Sequence, residues 1–321
     1  MKTEATPEKW LASQGFFAEQ VVPLSGDVSA RRYFRIIGKQ GHPAILSHYP
    51  RQLSESYGHF VSMTTLLQQA GIRVPTILAV DPKKTWMLLE DLGEKNLFEA
   101  QETLPDREPY FRIAVGYIKA IQALPREIVA TGNPPLDSNA LISELDKTWD
   151  VFLKPKGLLP AGRDEQLFNS FLHDLCSDLG ARLLVPCHRD FMARNLIPLP
   201  GKEVSVAVID YQDLRLGPCH YDLASLLNDS FFPEEGTRQR LLDLAGVHEE
   251  DVELYHKAAV QRTLKAVGTF AAFANRGSDA HLPLIAPTLR RALYHLAASS
   301  EGSPFAELLE PLWRATLNEF C

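Results

Sequence analysis

The apolar positions of this chain change their period near residue 92. Before it they fall in short β-prone runs, 21–24, 31–37, 43–49, 74–80 and 85–90, separated by Gly, Pro, Ser and Asp. One helical pattern, 54–70, interrupts them and closes at Gly71. An earlier stretch, 7–19, reads as an amphipathic helix with Thr6 as cap, Pro7 in the first position and Trp10, Leu11 and Phe17 on one face. The region from about 20 to 92 is therefore expected to form a five-stranded antiparallel sheet with one main helix. Beyond it the spacing becomes helical. Phe111, Ala114, Val115, Ile118 and Ile121 mark a helix over 106–124 that Pro125 stops. Residues 127–136 read as a loop, and Asp137 or Ser138 caps the next helix. Further helices are predicted over 163–182, 234–244, 249–275, 281–297 and 303–320.

The expected fold class is α+β in two lobes, 1–92 and 93–321. The helical pattern of the second part is broken once, from Cys187 to Asp229, and the polar residues with chemical potential gather there. His188-Arg189-Asp190 is followed by Asn195, giving H-R-D-x-x-x-x-N, the catalytic-loop spacing of kinases. A predicted hairpin follows, 195–199 and 204–209 around a turn at 200–203, and it ends in Asp210.

Phosphoryl transfer needs charge neutralisation and positioning more than covalent chemistry. One carboxylate must face the acceptor hydroxyl, a second must hold Mg²⁺ across the phosphates, and a neutral oxygen must complete the metal site. Asp190, Asp210 and Asn195 fit these roles in that order. His188 reads as a brace of the loop and Arg194 as a phosphate contact or a surface charge. In the sheet region, the turn 25–30 with Ser25, Gly26 and Ser29 can approach an anion closely through its backbone. The third strand lacks the Lys that kinase-like sites place there, and Arg32 or Arg35 can supply the cation instead. Glu90-Asp91-Leu92-Gly93 reads as a hinge whose backbone can meet an adenine edge, with Glu90 and Leu92 as nucleotide-side residues. An ordinary hairpin and a plain strand-end turn account for the same two segments without a ligand.

Composition narrows the classes. Of the 321 residues, 45% are hydrophobic and 23% charged, the balance of a soluble globular protein. The net charge of −7 and the lack of a Lys/Arg-rich run argue against bulk nucleic-acid binding. Four cysteines without a C-x-x-C pair indicate neither a zinc ribbon nor a disulfide framework. With no signal-like N-terminus and no run of ~20 apolar residues, the protein is expected to be soluble and cytoplasmic, without a membrane partner.

The stretch resembles the aminoglycoside phosphotransferase/choline kinase-like family, relatives of the protein kinases. It carries His188, Asp190, Asn195 and Asp210 in order, then Gly217-Pro218 and Asp222-Leu223-Ala224. The resemblance implies a protein kinase-like two-lobed fold, ATP and Mg²⁺ as cofactors, a small-molecule acceptor and a loop-anchoring role for Asp222. Arg31–Arg35 (R-R-Y-F-R), Ile209–Asp213 (I-D-Y-Q-D) and Gln261–Phe270 (Q-R-x-L-K-x-x-G-x-F) are similar to the branch of bacterial anomeric N-acetylmuramate/N-acetylglucosamine kinases. That branch often has a His where Met192 stands. An aminoglycoside, choline or homoserine kinase and a pseudokinase-type nucleotide-binding module are the alternatives. Candidate acceptor contacts are Gln212, Asp213, Glu144, Trp149, Arg262 and Lys265. Arg262 and Lys265 lie three apart on one helix face, where they meet either a substrate carboxylate such as the lactyl group of muramate or only each other's surface salt bridges.

Overall fold

The computed structural model describes residues 7–24, 31–38, 42–83, 85–104, 106–156, 162–229 and 231–320. Thr6, proposed as a cap, and the turn 25–30 lie outside them. Two compact units emerge, Met1–Lys95 with Ile197–Gln212, and Asn96–Leu196 with Asp213–Cys321. The first break falls between Lys95 and Asn96, and the stretch 197–212 falls in the same unit as the sheet.

In the first unit α1 (Glu8–Ser13) stops well short of residue 19. Gly15 adopts φ 75°, and the amides of Gly15 and Phe16 return to the carbonyls of Ala12 and Leu11 at 3.0 and 2.9 Å. This is the glycine-terminated helix end that a residue without Cβ permits. The chain then extends as β1 (Ala18–Leu24). Reversal at Gly15 also changes which aromatic turns inward: Phe16 packs on the core with Trp10 and Leu11, whereas Phe17 is 54% exposed. With β2 (Arg32–Gly38), β3 (Pro43–His48), β4 (Ile77–Val80) and β5 (Trp86–Glu90) the sheet has the order β1-β2-β3-β5-β4, antiparallel throughout. Ile36, Ala44, Leu46 and Leu88 bury themselves with Leu11. The β4–β5 turn is organised by Asp81, whose carboxylate accepts the amides of Lys83 and Thr85 at 3.1 and 3.3 Å.

Between β3 and β4 runs α2 (Ser54–Gln69), which buries Tyr57, Phe60, Met63, Thr64 and Leu67 at helical spacing. Three contacts bind the later hairpin to this unit. Phe60 stacks on Tyr211 at 4.9 Å, Thr64 shares a 2.7 Å hydrogen bond with the Tyr211 hydroxyl, and Val208 donates its amide to the Arg73 carbonyl at 2.8 Å.

The second unit is mainly helical. It holds α3 (Glu108–Gln122), the single turn α4 (Arg126–Val129), α5 (Ser138–Thr148) running into a π-helical turn at Trp149–Leu153, and α6 (Arg163–Ala181). Thus one helical turn stands at the start of the predicted loop 127–136. Asp137 caps α5 by accepting the Ala140 amide at 3.0 Å. The strand β6 (Val185–Cys187) follows, then the hairpin of β7 (Leu196–Pro198) and β8 (Val206–Val208), and β9 (Arg215–Gly217), which pairs antiparallel with β6. The β6–β9 pair is absent from the sequence reading because three residues are too few to show a period. The chain ends with α7 (Tyr221–Asn228), α8 (Glu235–Ala245), α9 (Val252–Ala274), α10 (Ile285–Ala298) and α11 (Ser303–Phe320). Among the described residues no helix is long and apolar enough to cross a membrane.

The second unit packs around α9, which touches α5, α6, α7 and α10. Its crossing with α5 is close because of Gly268: a Cβ there would lie 2.7 Å from Thr148 Cα. The Thr148 hydroxyl donates to the Leu264 carbonyl across the same contact at 3.2 Å. Substituting Gly268→Ala is expected to destabilise the protein by about 2 kcal/mol or more, read from the denaturant midpoint, because backbone cannot yield as a side chain can. By contrast Gly116 on α3 has nothing within 4 Å of its Cβ position, and Gly116→Ala is expected to stabilise by roughly 0.5–1 kcal/mol.

Candidate active site

The loop after β6 is held from behind by one buried carboxylate. Asp222, in the first turn of α7 and 2% exposed, accepts the amides of His188 and Arg189 at 2.7 and 2.9 Å and the Cys187 thiol at 3.2 Å. These bonds make Asp222 the loop anchor. Burial lifts its pKa above the usual Asp range, with His188 and the three donors pulling the other way. Arg189 sits at φ 77°, a left-handed conformation that costs a non-glycine residue of order 1–3 kcal/mol and persists only where the surroundings impose it. The Asp222 bond to its amide is one such restraint. The Arg189 side chain is another, reaching Glu144 at 2.8 Å and forming an ion pair with Asp213.

Glu144 also accepts from Gln261 Nε2 at 3.3 Å and from the Tyr221 hydroxyl at 3.5 Å, while Asp213 pairs with Arg215 at 2.6 Å. These two candidate acceptor contacts are thus engaged in bracing Arg189. His188 is fully buried, edge-on to Phe191 with ring centroids 5.4 Å apart.

Asp190 is the centre of the charge arrangement. Its Oδ1 accepts from Arg262 Nη2 at 3.1 Å and Lys265 Nζ at 3.3 Å. Both cations project from one face of α9, and Arg262 is steadied by the Ser225 hydroxyl of α7 at 3.1 Å. The Asp190 side chain is 26% exposed, against 5% for Arg262 and 13% for Lys265. The expectation of a solvated, salt-bridged face is therefore corrected: α9 is the central helix, so its charged face is interior and is paired with the loop carboxylate. Burial opposes the Asp190 charge, but Lys265, Arg262, Arg189 and His188 outweigh it and hold the carboxyl far below its usual range. Asn195 donates its Nδ2 to the Asp190 carbonyl at 2.8 Å, which fixes the amide and leaves Oδ1 as its acceptor atom.

In the first unit, Asp210 follows β8 in an exposed position at φ 63°, and Gln212 Nε2 donates to its Oδ1 at 2.6 Å. The cation grouped with it is Arg31, which the sequence reading passed over. Its guanidinium lies 5.9 Å from the Tyr49 ring centroid. Burial works against its charge, but Tyr33, Tyr49 and Asp210 outweigh it and raise its pKa. Period-two alternation puts Arg31 on the side of Tyr33, and that was the available signal.

Of the two arginines named from the sequence, Arg32 is exposed at the start of β2. Arg35 is engaged by Asp91 at 2.5 and 3.0 Å and donates to the Gly93 carbonyl at 2.7 Å, so it props the segment after β5. Glu90 binds Arg73 and the Thr76 amide through its side chain, and its own amide goes to the Thr76 carbonyl at 2.9 Å. Leu92 is half-buried. His48 packs on Trp86 with centroids 4.4 Å apart, as a structural residue. Ser25, Gly26 and Ser29 lie outside the described residues.

Trp149 and Arg194 are the remaining two candidates. Trp149 opens the π-helical turn, half-buried, 6.2 Å from the Phe168 ring. Arg194 lays its guanidinium over Phe98 at 4.3 Å and faces a cavity shared with Asp229 and Arg291. Among the described residues no group of three or more His, Cys, Asp or Glu could hold a metal by itself. Asn195 Oδ1 and the Asp210 carboxylate are hard oxygen donors of the kind Mg²⁺ takes when phosphates complete its shell, so the donor chemistry fits that ion.

The profile of the phosphotransferase enzyme family matches residues 20–259. The N-acetylmuramate/N-acetylglucosamine kinase of Pseudomonas putida is 30% identical over 277 residues, covering 81% of this chain and 78% of that protein. Its namesake from Pseudomonas aeruginosa is 29% identical over 311 residues, covering 91% and 88%. Among solved structures, choline kinase LicA from Streptococcus pneumoniae aligns with a TM-score of 0.61 at 15% identity, over 91% of this chain and 97% of that one. A GDP and kanamycin complex of an APH(2") aminoglycoside phosphotransferase aligns with a TM-score of 0.63 at 15% identity, over 90% and 98%. The fold is protein kinase-like, with a five-stranded antiparallel sheet in the N-terminal region and a helical remainder. With most of its length inside the family profile, the chain belongs to the phosphotransferase enzyme family.

Proposed function

We propose that this kinase uses ATP and Mg²⁺ to phosphorylate the anomeric hydroxyl of an N-acetylated amino sugar, of the N-acetylmuramate/N-acetylglucosamine type. The observation that carries the reading is the Asp190 carboxylate, ionised between Arg262 and Lys265 on the loop that Asp222 ties down. Both cations bind Oδ1, which leaves Oδ2 to accept the proton of an acceptor hydroxyl. A carboxylate with so low a pKa is a weak base. It orients the hydroxyl and takes the proton late, which suits a loose transition state with little early bonding to the nucleophile. A hemiacetal hydroxyl is more acidic than an ordinary alcohol and asks less of the base. The relatives named for N-acetylmuramate and N-acetylglucosamine support the same acceptor.

When bound, Mg²⁺ supplies charge neutralisation at the phosphates, with Asn195 and Asp210 as the residues that would hold it. Arg31 is the cation on the nucleotide side, in place of a third-strand Lys. The segment at Leu92, propped by Arg35, meets the adenine edge.

The direct test is ADP release with N-acetylmuramate, N-acetylglucosamine, choline and kanamycin as acceptors. Turnover is expected with the two sugars, and turnover confined to choline or kanamycin overturns the reading. Asp190→Asn is expected to lower kcat by about 10²–10⁴-fold while ATP binding, followed by calorimetry, persists. Lys265→Met removes a cation that holds the Asp190 pKa down, so the acid limb of the kcat/KM profile should move to higher pH. Arg31→Met should raise the KM for ATP by about tenfold, the scale of one charge-assisted contact, with a smaller change in the acceptor KM.

A further inference from the structure

The cavity beside Arg194 lies wholly within the second unit and has a charge balance unlike that of the Asp190 cluster. Its lining includes Phe98, Arg194, Asp229, Phe270, Thr288 and Arg291. Two guanidiniums thus face one carboxylate, a surplus of one positive charge. Among the described residues Arg194 makes no hydrogen bond or ion pair, and its partner is the face of Phe98. A guanidinium stacked by its face keeps its in-plane donors for another group. Arg291 gives Nη1 to the Asn228 carbonyl at 2.9 Å and lies 5.6 Å from the Phe232 ring centroid. Burial lowers its pKa to about 10, with Asp229 pulling it up and Arg194 pushing it down, the mark of a guanidinium short of negative charge.

The cavity is also tied to the catalytic loop. Arg194 is four residues beyond Asp190. Arg262, bonded to Asp190, feels the charge of Asp229 as well. Phe270 stands on α9, the helix that supplies Arg262 and Lys265. Lys265 and Arg262 are already matched to Asp190, whereas Arg194 and Arg291 are not.

The geometry points to Arg194 and Arg291 as an anion subsite for the acceptor, which binds a carboxylate carried by the sugar while Phe98 and Phe270 flank its apolar face. This inference rests on the amino-sugar reading and adds to it a preference for the acidic acceptor. A planar carboxylate matches the guanidinium fork, and a partly desolvated site strengthens the pairing. A neutral sugar gains nothing from the surplus charge.

Two readouts separate this subsite from the activity as a whole. In the first, kcat/KM is measured for N-acetylmuramate and N-acetylglucosamine with the wild type, Arg291→Gln, Arg291→Lys and Asp229→Asn. The acid-to-neutral ratio is expected to fall about tenfold in Arg291→Gln and to recover partly in Arg291→Lys. It should rise in Asp229→Asn, which increases the surplus charge. Opposite signs at two residues of one cavity are not produced by misfolding, and a ratio within twofold of wild type in both Arg291→Gln and Asp229→Asn overturns the proposal. The second readout is calorimetric binding of N-acetylmuramate and of its methyl ester, which needs no turnover. The wild type should bind the acid about tenfold more tightly, and Arg291→Gln should lose that difference. Equal affinities in the wild type refute the subsite. Absence of turnover on either sugar would instead refute the amino-sugar kinase reading, and the binding readout still decides the subsite.

Discussion

The second unit is arranged around the need to keep Asp190 ionised where water is scarce. A carboxylate taken from water loses several kcal/mol of solvation unless charge and hydrogen bonds replace it. Here Lys265 and Arg262 replace it from one face of α9, and Arg262 is in turn held by Ser225 on α7. The same α7 carries Asp222, which takes the amides of His188 and Arg189. One helix therefore fixes the backbone of the loop, and it joins α9 in fixing the charge that the loop presents. Because α7 and α9 pack directly on each other, neither function can shift without the other.

Outward from Asp190 the charges alternate. Arg189 is answered by Glu144 and Asp213, Glu144 by Gln261 and Tyr221 as donors, and Asp213 by Arg215. Such a network is stable only when each buried group has its partner, and a half-matched one is worse than an apolar core. It also supports one strained residue, Arg189, which sits in the left-handed region without being glycine. Strain of this kind concentrates where side chains must be aimed. The cavity at Arg194 and Arg291 departs from the balance: the cluster at Asp190 is matched internally, whereas the cavity keeps positive charge in reserve. Catalysis and recognition are thereby given to different cations.

Much of the fold was legible because it rests on local rules. The 3.6-residue spacing in α3, α6, α9 and α10, the cap at Asp137 and the turn at Asp81 each involve neighbours in sequence. The helix end at Gly15 was missed because Trp10, Leu11 and Phe17 continue a plausible helical face, and only the reversal showed that Phe16 is the buried ring. The β6–β9 pair was missed because each strand spans three residues. At the site, Asp190, Asn195 and Asp210 were picked out by spacing and motif, and the anchoring role of Asp222, implied by the family resemblance, is seen in its bonds to the His188 and Arg189 amides. The partners of the cations were not: Arg35, Arg194, Arg262 and Lys265 were each left between a ligand and a plain structural or surface role, and the structure pairs Arg35, Arg262 and Lys265 with protein carboxylates and Arg194 with an aromatic face.

What the sequence determined by itself was the order of the longer elements, the reaction-type motif and the residues able to carry it, since propensity, periodicity and spacing act over a few positions along the chain. What only the tertiary structure decided was which charge meets which. Lys265 reaches Asp190 across 75 positions and Arg35 reaches Asp91 across 56, and contacts so remote depend on how helices and strands pack. A cation read in isolation can serve a substrate, a surface or a buried carboxylate, and burial together with the nearest opposite charge selects among them.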